Sequence, residues 1–184
     1  ESVTDIGDLA FYRCSKLSSI TVSENNEYYS NDEFGVLFNK DKTELIQYPV
    51  GNEIKTYTIP ETVISIGDYA FAANPGLLKL TINATSESFD MTSIGSHAFD
   101  SCKSMGAVVL PTTVNYIGSY AFYDCNSMSS INIPDGIEKI LSHTFYGCAS
   151  LGSIEVPNSV IAIEDYAFYG CVVAKSIALS NQCK

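Results

Sequence analysis

The sequence predicts an α/β repeat solenoid, in which short parallel strands alternate with tight turned segments, and two observations carry that prediction. Phe99, Phe122, Phe145 and Phe168 are each 23 residues apart, and the same spacing holds for Cys102, Cys125, Cys148 and Cys171 and for Pro111, Pro134 and Pro157. An apolar triplet of the form Leu-x-x-Ile-x-Ile recurs seven times along the chain. Several residue types that hold one period together call for stacked, near-identical units, each too small to bury its apolar side alone.

The triplets are Leu17/Ile20/Val22, Ile54/Tyr57/Ile59, Leu77/Leu80/Ile82, Met105/Val108/Leu110, Met128/Ile131/Ile133, Leu151/Ile154/Val156 and Ala174/Ile177/Leu179. Ile-x-Ile has period two and is β-branched, so each triplet reads as a short strand with its apolar side inward. The proline that follows several of them has no amide donor and ends the ladder. Ala-Phe-x-x-Cys, as in Ala121, Phe122 and Cys125, places its members on one face of a helical or 3-10 turn. Seven such strands, about 4.8 Å apart, give one parallel sheet about 29 Å across. The steps between triplets are 23 residues except for 37 and 28, so two coils carry insertions of 14 and 5 residues.

The longer insertion lies within 23–53. Val36–Phe38 and Leu45–Tyr48 are apolar runs on either side of Asn39-Lys40-Asp41-Lys42-Thr43. That is the signature of a β-hairpin with a five-residue loop. The expectation is a hairpin projecting from the solenoid between the first two strands. The chain as a whole, 1–184, reads as a single repeat domain. It begins one residue past the expected proline and runs in pattern through Leu179, as a fragment of a longer array would.

Composition narrows the partners. Net charge is −11, which disfavours nucleic acid, whose phosphates need a basic face, and unaided adsorption to anionic lipid. No apolar run approaches the ~18 residues that span a bilayer, so this segment is expected not to insert in a membrane. No export signal is visible in 1–8.

Candidate chemistry is sparse. Four cysteines share one repeat slot, with Cys14 in register and Asn74 in the slot of another coil. Coil spacing holds neighbouring Cβ atoms about 4.8 Å apart, wider than the ~3.8 Å of a disulfide. A column of buried reduced thiols follows, with Asn74 bonding backbone between coils and Cys183 outside the pattern. No metal and no cofactor is expected, since Cys-x₂-Cys is absent. His97 and His143, two coils apart with Tyr120 between, are about 10 Å from one another, too far to share an ion. His97, Asp100, Ser101 and Cys102 look like nucleophile parts, yet Cys102 belongs to the buried column. Asn83-Ala84-Thr85 matches a glycosylation sequon.

Two surfaces are candidate binding sites. Tyr120, His143 and Tyr166 share one repeat position, also held by Tyr69 and His97. Tyr123, Tyr146 and Tyr169 share another. Together Tyr120, Tyr123, His143, Tyr146, Tyr166 and Tyr169 read either as stacking that seals the convex side or as a convex aromatic strip that binds, because tyrosine offers large contact area at low entropy cost. On the concave strand face, Leu78, Ala107 and Val109 form a modest apolar patch, with incidental exposure as the other reading. The 21 outward strand positions carry one carboxylate, so no acid pair is available for glycoside hydrolysis.

The segment Ile117-Gly118-Ser119-Tyr120-Ala121-Phe122, with Cys125 and Ile131-Asn132-Ile133-Pro134, resembles the 23-residue bacterial leucine-rich repeat of BspA-type and Treponema pallidum-type surface proteins. The hairpin insertion looks like one common in that family. The resemblance implies a leucine-rich repeat right-handed solenoid, or horseshoe, at the cell surface or outside the cell. It also implies a non-catalytic module that binds a protein ligand, such as a host extracellular-matrix or cell-surface protein, in adhesion. The alternatives are spacer or presentation repeats of a larger extracellular protein, or a glycan-binding surface, since fold alone does not fix activity.

Overall fold

The computed structural model describes residues 2–82 and 90–179. Twelve short strands are β1 (Tyr29–Asn31), β2 (Leu37–Asn39), β3 (Glu44–Gln47), β4 (Thr56–Thr58), β5 (Ser65–Ile66), β6 (Lys79–Thr81), β7 (Ser93–Ile94), β8 (Tyr116–Ile117), β9 (Lys139–Ile140), β10 (Ile154–Glu155), β11 (Ala162–Ile163) and β12 (Ile177–Ala178). They line two walls of a solenoid around one continuous core. The core ring of each coil is a phenylalanine: Phe71, Phe99, Phe122, Phe145 and Phe168 stack with centroids 4.9, 5.2, 5.6 and 5.4 Å apart.

The longest sheet is not the one built from the apolar triplets. Its order is β1-β2-β3-β5-β7-β8, and its parallel part runs through the Ile-Gly segments, with Ile66 opposite Ile94 and Ile94 opposite Ile117. We call this the back wall. The triplets form the front wall, where the expected single sheet of seven strands is divided among the described residues: β4 pairs with β6, β10 with β12, and Val108 bridges Ile131. One local cause is Asn132. Its side-chain amide accepts from Leu110 N–H at 2.7 Å and donates to Leu110 C=O at 2.9 Å, occupying groups that the backbone ladder would use. The first triplet is not a strand; its Ile20 amide donates to Gly35 O and its Val22 amide to Asn31 Oδ1.

The expected helical or 3-10 pieces are absent among the described residues, and the reason lies in how the amides alternate. Ala121, Tyr123 and Cys125 donate to the carbonyls of Gly118, Tyr120 and Phe122, three residues back. Tyr120, Phe122 and Asp124, between them, donate instead to Ser142, Thr144 and Tyr146 of the next coil. A helix needs every amide turned along its own axis. Tyr120 and Asp124 also have φ of 59° and 53°, left-handed conformations that end a right-handed helix after a turn.

The hairpin is confirmed, but it does not project. β2 and β3 are antiparallel, and β1 adds a third strand on the outside. Asn39 closes the loop by accepting from the amides of Thr43 and Glu44. β3 then pairs in parallel with β5, so the insertion is a coil of the wall. The apolar runs explain this: Val36, Leu37, Phe38, Leu45 and Tyr48 are fully buried, and a projecting hairpin would leave them wet. Tyr48 takes the phenylalanine place, stacked 5.0 Å from Phe71.

The thiol column is present. Cys102, Cys125 and Cys148 are buried and free, and each Sγ donates at 3.1 Å to the carbonyl of the phenylalanine one coil back. Cys171 does the same at 3.4 Å and is half-buried. Cys14, expected in that column, is exposed. Asn74 departs from expectation too. Its Oδ1 accepts from Gly76 and Leu77 of its own coil rather than bridging coils. Cys183 and the Asn83-Ala84-Thr85 sequon lie outside the described residues.

Candidate functional site

The six residues of the aromatic strip come together. They flank the inward phenylalanine in each turned segment, so the 23-residue period places them in register along one edge. In one column Tyr69, His97, Tyr120, His143 and Tyr166 stack with centroids 4.6, 4.6, 4.4 and 4.9 Å apart. In the other, Tyr123, Tyr146 and Tyr169 stack at 4.8 and 4.9 Å. The columns touch within each coil, at 5.6 Å for Tyr120–Tyr123, 5.5 Å for His143–Tyr146 and 5.8 Å for Tyr166–Tyr169.

The backbone of the first column is strained. Tyr69, His97, Tyr120, His143 and Tyr166 all have φ between 55° and 60°. For a bulky residue that conformation is uncommon and costs of order 1–3 kcal/mol where the surroundings must enforce it. Here the inter-coil bonds enforce it: the amides of Tyr69, His97, Tyr120 and His143 each donate to the next coil. The three tyrosines give no sign of this backbone in the sequence, whereas His97 and His143 are of a type enriched in it.

Stacking decides what the strip can offer. The rings of His97, Tyr120, His143 and Tyr146 are covered on both faces by their neighbours. A partner therefore meets ring edges and polar tips. Exposure rises toward one end, where Tyr166 is 58% and Tyr169 59% accessible. Burial, and after it Asp124, pushes the Tyr123 phenol above its ordinary value, and Tyr69 is raised in the same way by burial and Asp100. These phenols stay protonated donors at neutral pH.

The concave patch is smaller. Leu78 is 51% and Val109 63% accessible, and Ala107 is exposed between them in sequence register. Leu78 C=O accepts from Gly106 N–H, which sets the two coils side by side.

The nucleophile-like cluster does not assemble a nucleophile and base. His97 Nδ1 lies 2.8 Å from Asp100 Oδ2, and Ser101 Oγ donates to Asp100 Oδ1 at 2.8 Å. The carboxylate thus separates the hydroxyl from the imidazole. Burial pushes the Cys102 thiol up to about 12, so it stays protonated and poorly nucleophilic. Among the described residues, no three His, Cys, Asp or Glu side chains converge as a metal site, and no helix is long and apolar enough to cross a membrane.

The BspA type leucine rich repeat region matches this chain in six copies, over residues 1–48 and 92–184. The chain is similar to a solved leucine-rich repeat protein from Eubacterium ventriosum, with 30% identity and a TM-score of 0.87 over 97% of this chain and 47% of that one. It is also similar to a leucine rich cell surface protein from Faecalibacterium prausnitzii, with 33% identity and a TM-score of 0.84 over 95% of this chain and 45% of that one. The pneumococcal vaccine antigen PcpA shares the fold at 22% identity, with a TM-score of 0.57 over 86% of this chain and 48% of the antigen. The chain spans about half the length of these structures. No curated protein matches it.

Proposed function

The chain belongs to the BspA-type leucine-rich repeat family of bacteria, and from that premise we propose that it is a non-catalytic binding module of a secreted or cell-surface protein, with the aromatic strip as its contact face. Its ligand is a protein, of the host extracellular matrix or of a cell surface. The observation that carries this reading is the registered pair of columns, Tyr120/His143/Tyr166 beside Tyr123/Tyr146/Tyr169. Their rings are fixed before any partner arrives, so binding loses little side-chain entropy. Leu78, Ala107 and Val109 are a second, smaller contact face. The likeness to a cell surface protein from Faecalibacterium prausnitzii supports the location.

Glycan binding has less support, because sugars pack on open aromatic faces and most faces here are occupied by other rings. A spacer role remains the reading to be beaten. The test is binding of the immobilised chain to a panel of purified extracellular-matrix proteins and intact epithelial cells, alongside Tyr146→Ser/Tyr169→Ser and Leu78→Ser/Val109→Ser variants. We expect saturable binding that the tyrosine variant weakens at least ~10-fold, about 1.4 kcal/mol. Binding to none of them would favour the spacer. Binding lost only with Leu78 and Val109 would move the site to the concave patch.

A further inference from the structure

Both walls lapse together at one boundary. Between coil 111–133 and coil 134–156, β8 is not paired with β9, nor Ile131 with β10. On one side of it β7–β8 and Val108–Ile131 are paired; on the other β9–β11 and β10–β12 are. Among the described residues from β3 onward, every other boundary keeps at least one ladder.

The aromatic edge stays closed there. Tyr120, Phe122 and Asp124 donate to Ser142, Thr144 and Tyr146 at 3.2, 2.9 and 2.7 Å. Ring spacings differ slightly in the direction of a tilt about this edge. Tyr120–His143, on the outside, is 4.4 Å, the shortest step of its stacked column. Phe122–Phe145, farther in, is 5.6 Å, the longest step of its own. Ser150 and Gly152 still donate to Asn126 O and Ser129 O at 3.1 and 3.2 Å, and beyond those contacts the coils part. A cleft of about 430 Å³ opens in the back wall between Asn115–Tyr116 and Glu138–Lys139, and one of about 390 Å³ in the front wall between Ser130–Asn132 and Ser153–Glu155.

Two departures from the repeat fall at this boundary. The back strand is followed by Gly67, Gly95 and Gly118, then by Leu141. A Cβ at Gly95 would lie 2.7 Å from the backbone of Gly67 and Asp68, and one at Gly118 within 2.5–2.7 Å of Gly95 and Ser96. Leu141 brings a branched apolar side chain to that place, and its amide has no bond to Ile117 O like those of Gly118 to Ile94 O and Glu164 to Ile140 O. Glu164, at the same place one coil later, shows what a side chain needs there: its carboxylate accepts from the amide and hydroxyl of Ser142. Leucine has no such bond to offer. The inward position before each phenylalanine is Ala70, Ala98 and Ala121, then Thr144. Thr144 is buried, and its hydroxyl donates to Leu141 O at 2.8 Å and lies 3.5 Å from Gly118 O. It adds bulk on the same side.

We propose that the boundary between Ile133 and Pro134 is a hinge. The solenoid is two stiff stacks that bend about the aromatic edge, with Leu141 and Thr144 as the wedge that keeps the walls apart. Bending is opposed within each stack by at least one ladder and the core, and at this boundary by the aromatic edge and by the amides of Ser150 and Gly152, which donate to Asn126 O and Ser129 O. It changes the angle between the tyrosine columns of the two stacks, whatever they bind.

Amide hydrogen exchange by NMR on the whole chain reads the open walls. The amides of Ile131, Ile133, Lys139 and Leu141 should exchange at least ~100-fold faster than those at equivalent paired places, Val108, Tyr116, Gly118, Ile154 and Val156. Spin-label distances read the motion, with Cys14, Cys171 and Cys183 replaced by serine. The pair Asn115→Cys/Ile161→Cys, which spans the boundary, should give a broader distribution than Ile64→Cys/Asn115→Cys, which does not. Leu141→Gly should narrow the spanning pair and protect the Lys139 amide. Equal protection, or two distributions of equal width, overturns the proposal. If Leu141→Gly leaves a broad distribution unchanged, Leu141 is not the wedge and that part falls.

Discussion

The Tyr57 hydroxyl donates to Asp32 Oδ2 at 2.6 Å across 25 residues of chain. Tyr57 is buried on the front wall, and the other oxygen of Asp32 accepts from the amides of Phe34 and Val36, at the corner between β1 and β2. One carboxylate therefore fastens the inserted hairpin to the repeat stack. Tyr57→Phe keeps the ring and removes the bond. It should cost about 1.5–3 kcal/mol, the usual range for a hydrogen bond to a charged group, read as a lower urea midpoint with unchanged m-value. A loss below ~0.5 kcal/mol would mean the hairpin is held by packing alone.

Stability should fall in alkali. Burial holds the Tyr48 phenol up at about 12, Cys102 at about 12 and Cys171 at about 11, against ordinary values of 10 for tyrosine and 9 for cysteine. Above those ordinary values the unfolded chain has released protons that the folded chain retains, so folding is disfavoured as pH rises. This contribution is intact below about pH 9 and is lost progressively between about pH 9 and 12. Urea midpoints measured across that range should decline throughout. A flat profile would show that the thiols and phenols ionise without opening the core.

Glu44 gives the opposite end of the scale. Its carboxyl is raised above its ordinary value of 4.5 by burial first, then by Asp68 and Asp8. As pH climbs past 4.5 the unfolded state ionises first, so the folded state loses stability there. Glu44→Gln should stabilise the protein at neutral pH by about 0.5 kcal/mol, discounted because the group is partly exposed. Below about pH 4, where both forms are neutral, the variant and the parent should melt alike. A destabilised variant at neutral pH would disprove the repulsion.

Gly118→Ala tests the close approach of coils. Its Cβ would meet backbone atoms of Gly95 and Ser96 at 2.5–2.7 Å, where no flexible side chain can yield. Overpacking of this kind costs about 1–3 kcal/mol. Thermal denaturation should show the loss, and an unchanged Tm would mean that the coils separate freely at this point too.

The thiols should divide sharply by reactivity. Cys14 is exposed, while Cys102, Cys125 and Cys148 are buried and raised by desolvation. Mass spectrometry after alkylation under native conditions should find Cys14 modified and those three intact until urea is added. Early modification of Cys125 would show that the column opens locally.

Much of this was readable from the chain. The 23-residue period fixed the phenylalanine and cysteine columns and brought Tyr120, Tyr123, His143, Tyr146, Tyr166 and Tyr169 to one edge, because a residue repeated at a constant period in a solenoid must recur at a constant place. The period did not reveal which groups carry the ladder. Ile-x-Ile announces a strand, yet the longer sheet runs through Ile-Gly, where two residues per coil are too few to show an alternation. Ala-Phe-x-x-Cys fits a helical turn by spacing, and only the direction of alternate amides toward the next coil makes it something else.

The sequence by itself determined the repeat, its inward residues and the hairpin, since burial and spacing are properties of side chains in order. The tertiary structure decided that the hairpin joins the wall, that the rings cover one another's faces, and that the stack parts between Ile133 and Pro134. Those outcomes depend on distances between coils. A side chain such as that of Leu141 or Glu164 in place of glycine has its meaning only when the backbone it must meet is in place.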